Sequence, residues 1–217
     1  MNARFGLTLL ACLLFAVPAA AIQTPELTVG AGYHMLGQMD AAVDFPVAGI
    51  QYGTLNIRDS VAYTAALDVP LKAQQGVRLE LRYCYQPTRV QFESGQDYDL
   101  FDLNVQTAVA GIFTDKAPAG ATMVPYGGVS LGCTWYSPDV DTYSSETLFT
   151  VTATLGATKY VNEKMGLTFR ADLLMPINWS GAGIFVGTGG ADISLGGTAS
   201  MAQIGLSAGL TYKLGGK

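Results

Sequence analysis

Charged residues, long apolar runs and basic charge are all scarce in this chain of 217 residues. Asp, Glu, Lys and Arg make up 13% of it, about half the ~25% that is usual for soluble domains. Charge therefore does not cover the outside of this protein. Beyond residue 21 no apolar run approaches the ~20 residues that a membrane helix needs. The 12 Lys and Arg against 17 Asp and Glu leave no basic footprint for nucleic acid.

The first residues indicate a secretory signal peptide. MNARFGLTLLACLLFAVPAAA has a positive charge at Arg4, then an apolar stretch, then small residues at its end, which predicts cleavage before Ile22. The segment Leu9–Cys12 also resembles a lipoprotein signal, but another long apolar run follows it, and this alternative is less favoured. We therefore predict that residues 1–21 are removed and that residues 22–217 form one domain outside the cytoplasm.

Apolar and polar residues alternate through the rest of the chain. In VRLELRYCYQ, residues 77–86, charges occupy every second position and large apolar residues lie between them, which is the period of a β-strand. Eight such segments are predicted, each about 9–14 residues long, whereas strands of globular proteins average ~5–6 and tilted membrane strands need ~9–11. They cover residues 26–36, 55–69, 77–86, 99–113, 124–135, 149–158, 167–175 and 202–214.

The connections between these strands alternate in length. Those after the second, fourth and sixth strands are short, whereas those after the other strands are long. The long connections cover about 37–54, 86–98, 136–147 and 178–200. Short turns on one side and long loops on the other are typical of an outer-membrane barrel. The pattern predicts an all-β fold, an eight-stranded antiparallel up-and-down transmembrane β-barrel with both termini on the short-turn side.

The side chains of the polar faces are small and those of the apolar faces are large, and this difference indicates which face is outside. A soluble barrel or sandwich, the alternative, turns a face rich in Lys and Glu to water. Here the polar faces are mostly Gly, Ser and Thr, which suit a crowded interior. We therefore expect the apolar faces to contact lipid, with aromatic girdles near the strand ends. The girdle residues would be Tyr33, Tyr83, Tyr85, Phe101, Phe113, Trp135, Phe149, Phe169 and Tyr212.

The residues on the inward-facing, polar sides of the strands then include charges, and a barrel of eight strands has a narrow lumen. Counting across the short turns places Asp68 near Arg78, and a similar count places Arg82 near Asp102. Desolvated charges persist only when they are paired, so we predict a structural ion-pair network that closes the lumen. A gated pore remains an alternative. The predicted network consists of Asp68, Arg78, Glu80, Arg82, Asp102, Arg170 and Asp172.

Two segments resemble the small outer-membrane β-barrel families of Gram-negative bacteria, which include the transmembrane part of outer-membrane protein A and the opacity and adhesin-type barrels. PYGGVSLG, residues 125–132, resembles their Pro-Tyr-x-Gly segment. The last strand carries the pattern of their insertion signal at Ser207, Gly209, Tyr212 and Leu214. The resemblance implies outer-membrane localisation, recognition by the barrel-insertion machinery, contact with outer-membrane lipids and lipopolysaccharide, and loops that hold an unknown extracellular ligand.

Catalytic, metal and cofactor sites are not expected. The one histidine, His34, has no sequence-local Ser or Asp pattern that marks a hydrolytic partner. Cys84 and Cys133 are predicted to point to opposite faces with a strand between them, which disfavours both a disulfide and a metal site. We predict a structural or adhesin-like role carried by the extracellular loops. A small pore, or a transporter of small apolar molecules like outer-membrane protein W, is the alternative, and a lipid-modifying enzyme is a more remote one.

Overall fold

The computed structural model describes residues 24–36, 38–45, 49–71, 76–93, 97–115, 117, 121–140, 144–177, 186–188, 191–193 and 202–215. The predicted signal peptide, residues 1–21, lies outside them. The strands are β1 (Glu26–Leu36), β2 (Gln38–Phe45), β3 (Gly49–Ile57), β4 (Ser60–Pro70), β5 (Val77–Glu93), β6 (Asp97–Asp115), β7 (Met123–Pro138), β8 (Glu146–Tyr160), β9 (Met165–Ile177), β10 (Val186–Thr188), β11 (Ala191–Ile193) and β12 (Gln203–Lys213). In the part of the chain that the structure describes, no helix is long and apolar enough to cross a membrane.

Eight of these strands close into an antiparallel barrel. Their order around the ring is β5, β4, β1, β12, β9, β8, β7 and β6, and β6 pairs back with β5. β1 pairs with β12, so the first and last barrel strands are neighbours. Closure gives each barrel strand a paired neighbour on both sides, which a sheet within a bilayer requires. The predicted fold class is confirmed.

The outer face of the ring is apolar and the inner face is polar along most of its height. On the outer face Val29, Leu131 and Leu155 are 56%, 54% and 72% exposed. On the inner face Glu80 and Thr152 are 1% and 0% exposed. Exposed aliphatic side chains around a closed ring are costly in water and favourable in lipid, so this band is the membrane-facing surface.

The strands β5 and β6 continue above this band, and their polarity inverts there. The inward side chains Arg78, Glu80 and Arg82 of β5 are charged, whereas the inward side chains above residue 86 include apolar Val90 and the fully buried Phe92. The outward side chains of the same upper segment are polar. A sheet with a buried apolar face and a polar outer face is one that water surrounds. The inward apolar residues of this upper wall are Leu55, Ile57, Val90, Phe92, Phe101, Leu103 and Val105.

Two segments that the sequence predicts as loops contain strands at this end of the barrel, so these two predictions are wrong. The segment predicted as a loop at 86–98 is strand apart from the residues around 94–96, which lie outside the described part. The segment predicted as a loop at 37–54 contains the hairpin of β2 and β3, and β3 pairs with the upper end of β5. The barrel wall is therefore taller on this side than the alternation of lipid-facing residues indicates.

The structure also corrects predicted side-chain directions on β3 and β6. Phe101 and Phe113 are 8% and 0% exposed and point inward, so they do not belong to an aromatic girdle. Leu55 and Ile57 are buried, whereas Val61 and Tyr63 are exposed. These pairs do not share a face, because the strand predicted at 55–69 is interrupted between β3 and β4 and its phase shifts there.

Candidate functional site

Two ion pairs cross the middle of the lumen. Arg170 of β9 donates from both terminal guanidinium nitrogens to Glu80 of β5, and Arg82 of β5 donates to Asp172 of β9. In the ring of eight, β5 and β9 lie diametrically opposite each other. Each pair therefore spans the barrel rather than joining neighbouring strands. We call these four residues the crossbar.

Neighbouring side chains fix the crossbar in place. Thr154 donates to Asp172 Oδ1 at 2.5 Å, and an Arg82 terminal nitrogen donates to Thr152 Oγ1 at 3.3 Å. Within β5, Arg82 Nε lies 3.8 Å from Glu80 Oε1. All four crossbar residues are at most 8% exposed. Two cations and two anions thus neutralise each other where water cannot screen them, which is the condition for keeping charge in a narrow lumen.

A second layer lies below the crossbar. Arg78 Nε is 3.2 Å from Asp68 Oδ1, and the Arg78 guanidinium lies 4.2 Å from the centroid of the Tyr126 ring. Tyr126, from the PYGGVSLG segment, also accepts a hydrogen bond from Arg170 Nε at 3.3 Å. The tyrosine of this segment is therefore an inward residue that links the two layers. Its inward role could not be read from the Pro-Tyr-x-Gly pattern alone.

The short-turn end of the lumen is closed by a third group. Tyr160 donates to the Glu26 carboxylate at 2.8 Å, and Lys213 Nζ lies 3.9 Å from Glu26 and 4.2 Å from the centroid of the Tyr160 ring. Between this group and the crossbar, hydroxyls pair around the wall. The linked threonines on β1, β12, β9 and β8 are Thr28, Thr211, Thr168 and Thr158.

The prediction that Asp102 faces the lumen beside Arg82 is wrong. Its side chain is 56% exposed and accepts a hydrogen bond from Arg89 Nε at 2.6 Å on the outside of the wall. The prediction assumed that Phe101 and its apolar neighbours face lipid, whereas they fill the interior of the upper wall. Asp102 follows the opposite face and is therefore outside.

The other residues named in the sequence analysis are the histidine, the two cysteines and the insertion-signal pattern. His34 is 3% exposed and faces the lumen, and Cys84 is buried while Cys133 is half-buried. Neither cysteine forms a disulfide. Among the described residues no group of three or more His, Cys, Asp or Glu side chains could hold a metal ion. Within the insertion-signal pattern, Tyr212 and Leu214 are 46% and 51% exposed. Recognition by the insertion machinery stays a prediction.

The wall has an interruption between β4 and β5. Residues 63–70 of β4 pair with 78–85 of β5, and residues 54–57 of β3 pair with 90–93 of the same strand. Pro87 lies between the two ladders, and proline cannot donate a ladder hydrogen bond. A proline inside an alternating strand is the sequence signal that could have indicated this site, and sequence reasoning missed it.

Side chains bridge the interruption. Gln86 donates from Nε2 to Ser60 Oγ at 3.0 Å, and Thr88 Oγ1 donates to the backbone carbonyl of Arg58. The Arg58 amide donates to the Arg89 carbonyl at 2.8 Å. The interruption is therefore spanned by hydrogen bonds, two of which come from side chains rather than from a regular backbone ladder.

A polar groove of about 510 Å³ lies outside this interruption. β5, β6, the end of β7 and the junction of β3 with β4 contribute its lining. Its main polar and apolar lining residues are Arg58, Pro87, Arg89, Asp102, Asn104 and Asp139. Of the groove residues, the sequence singles out only Asp102, and it predicts the wrong face of the wall for that side chain. The other groove residues are far apart in sequence and come together only when the strands are placed side by side.

Charges beside the groove are mutually stabilised. Gln91 and Arg89 donate to Asp99, at 2.5 Å each, and in that order of effect they hold the pKa of its carboxyl below the ordinary value. Asp102 and Asp99 in turn raise the pKa of Arg89. Asp99 and Arg89 therefore stay ionised over the whole neutral range, so the wall beside the groove carries fixed charges.

No family model and no curated protein matches this chain. Three solved structures show its fold. OprG, an outer-membrane protein of Pseudomonas aeruginosa, matches with a TM-score of 0.63 at 11% identity over 89% of this chain and 98% of its own. The outer-membrane protein AlkL matches with 0.56 at 12% identity over 93% and 96%. Neisserial surface protein A matches with 0.55 at 13% identity over 89% and 99%.

At these identities the likeness concerns the fold. It agrees with what the molecule shows by itself: a closed ring of eight antiparallel strands, an apolar outer band and a polar lumen. The chain therefore has the fold of the small outer-membrane β-barrels, as the sequence predicted.

Proposed function

We propose that this protein is a non-conducting outer-membrane barrel whose function is a surface interaction on its extracellular side. The observation that supports the proposal is the crossbar, because Glu80–Arg170 and Arg82–Asp172 span the lumen from opposite strands. An eight-stranded barrel is only wide enough for its own side chains. With its lumen filled, the exposed upper wall is where a partner can act.

Absence of enzymatic activity is part of this proposal. His34 is 3% exposed and points into the filled lumen, where a substrate from outside cannot reach it. The upper wall instead offers a rigid β-surface with fixed charges, and binding residues are typically held on such scaffolds. We also propose that the extracellular side binds a ligand and that the barrel contacts lipopolysaccharide.

Conductance in planar bilayers tests the proposal. We expect no discrete single-channel openings from the wild-type protein at neutral pH and moderate voltage. The matched control is Glu80→Ala/Arg170→Ala, which removes one pair of the crossbar without leaving either member alone, and which we expect to introduce openings. Reproducible openings of the wild-type barrel would contradict a non-conducting role.

A second function is favoured by the interruption at Pro87. There the upper lumen is lined by apolar residues such as Val105 and Leu103, and the wall beside it lacks part of its ladder. A small apolar molecule that enters from the extracellular side could leave sideways into the membrane at this point. The hydrogen bond from Gln86 to Ser60 and the polar groove outside count against free passage.

Uptake of a small fluorescent apolar probe by intact cells tests this second function. Pro87→Val supplies the missing donor and a strand-forming residue, so it should close the interruption and return uptake to the level of cells that lack the protein. Thr54→Val, on the same wall, is the control and should retain the wild-type rate. If Pro87→Val leaves the rate unchanged, there is no passage through the wall at this point.

A further inference from the structure

The polar groove outside Pro87 lies at the level of the lipid headgroups. Directly below it, Tyr85 donates to Asn104 at 2.8 Å and Tyr83 donates to Gln106 at 3.0 Å, both on the outer face. Outward tyrosines whose hydroxyls meet polar side chains mark the membrane interface. Asn104 itself lines the groove, so the groove begins where the apolar belt ends.

The lining alternates hydrogen-bond donors with acceptors. Arg58 and Arg89 supply guanidinium donors, and three carboxylates supply acceptors, while Asn104 has both kinds of atom. The carboxylates are those of Asp59, Asp102 and Asp139. Each hydroxyl of a saccharide is a donor and an acceptor at once, and its oxygens are a few ångströms apart. A groove with mixed lining therefore suits a ligand that has many neutral hydroxyls.

Other ligand classes fit this lining less well. A phosphate would approach the Arg58 guanidinium but would also face the carboxylates of Asp102 and Asp139, which repel it. A bare divalent cation needs several oxygen ligands at one point, and no such group occurs among the described residues. An apolar ligand would strip water from charged side chains without replacing their hydrogen bonds.

The position of the groove identifies the source of the saccharide. Outward side chains of the wall, such as Pro87 and Asp102, line the groove, and Val61, next to the lining residue Ser60, is an exposed aliphatic side chain of the belt. A glycolipid of the outer leaflet can lay its acyl chains against the belt and its sugars in the groove at the same time. A soluble glycan would gain only the second contact.

From these contacts we infer that the groove formed by Arg58, Pro87, Arg89, Asp102, Asn104 and Asp139 binds the sugar part of an outer-leaflet glycolipid. The inference rests on the proposed surface-interaction function and gives its ligand a chemical class. Arg58 and Asp139 are the side chains to test, because both are exposed and line the groove from opposite sides of the interruption.

The experiment uses the full barrel in phosphatidylcholine nanodiscs, with and without rough lipopolysaccharide. The soluble probe is the dephosphorylated core oligosaccharide released from that lipopolysaccharide, and binding is measured by calorimetry. We expect Arg58→Leu and Asp139→Leu each to weaken binding about tenfold, since each removes hydrogen bonds that involve a charged group. Thr54→Leu is the control on the same wall and should bind like the wild type.

The outcomes separate the possible ligands. Oligosaccharide binding in plain nanodiscs that is blocked in discs containing lipopolysaccharide supports the glycolipid. Equal binding in both kinds of disc, binding that survives both groove substitutions, or inorganic phosphate that competes at similar concentration would contradict it. Conductance reports separately on the proposed function, because channel openings would contradict the filled lumen whether or not the oligosaccharide binds.

Discussion

Replacing Arg82 with methionine is expected to lower the free energy of unfolding by about 3–5 kcal/mol, because it leaves the Asp172 carboxylate buried in the lumen without its cation. Asp172 is 4% exposed, so water cannot compensate for the loss. Reversible urea unfolding in detergent micelles or vesicles, followed by tryptophan fluorescence, measures the effect. Arg89→Met is the matched control: its partners Asp99 and Asp102 are exposed, and we expect a far smaller change.

A double variant shows whether the crossbar acts as a pair. Arg82→Met/Asp172→Leu removes both charges and fills the space with apolar atoms, so it should be more stable than Arg82→Met alone. If the two substitutions are simply additive, Arg82 and Asp172 do not stabilise each other across the lumen. If Arg82→Met and Arg89→Met lower the free energy of unfolding equally, water fills the lumen beside Arg82, and the interpretation as a non-conducting barrel is wrong.

The sequence predicted the ring of strands well, because alternation with a period of two survives wherever lipid lies on one side and a crowded lumen on the other. In β9, for example, Leu167, Phe169 and Leu173 are exposed on one face while Arg170 and Asp172 are buried on the other. The strand order followed from consecutive hairpins. In this part of the fold each local pattern agrees with the global one.

The upper wall could not be predicted from the same pattern. Alternation specifies that two faces differ, but it does not specify which solvent each face meets. Along β5 the medium outside the wall changes from lipid to water while the alternation continues, and the inward face changes from charged to apolar. The sequence therefore predicts the wrong face of the wall for Asp102. Alternation does not show where along these strands the membrane ends.

The lumen network shows the same limit at the level of pairs. Counting across a hairpin places Asp68 beside Arg78, because hairpin partners are close in sequence. The crossbar joins residues 90 positions apart, on strands that face each other across the ring. Such partners follow from the closure of the barrel and its diameter, which no local pattern contains.

Replacing Leu81 with arginine is the second prediction with a large effect. Leu81 is an outward residue in the middle of the apolar belt, flanked by Leu67 and Ala110 on the neighbouring strands. An arginine near the bilayer midplane costs about 2–4 kcal/mol, whereas one near an interface costs about 0–1. We expect the free energy of unfolding to fall by the larger amount in lipid vesicles.

Gln91 provides the comparison within the same strand. It faces outward like Leu81 but lies ten positions further along β5, on the segment where the outer face is polar. Its amide donates to Asp99, and an arginine can donate to the same carboxylate. Since this position is surrounded by water, Gln91→Arg should change the free energy of unfolding by no more than about 0.5 kcal/mol.

The difference between these two unfolding free energies, measured in the same vesicles, tests most directly the claim that β5 passes from lipid into water. The structure predicts that Leu81→Arg costs at least about 2 kcal/mol more than Gln91→Arg. Equal costs at the two positions, or a greater cost at Gln91, would contradict both the membrane-facing belt and the water-exposed wall above it.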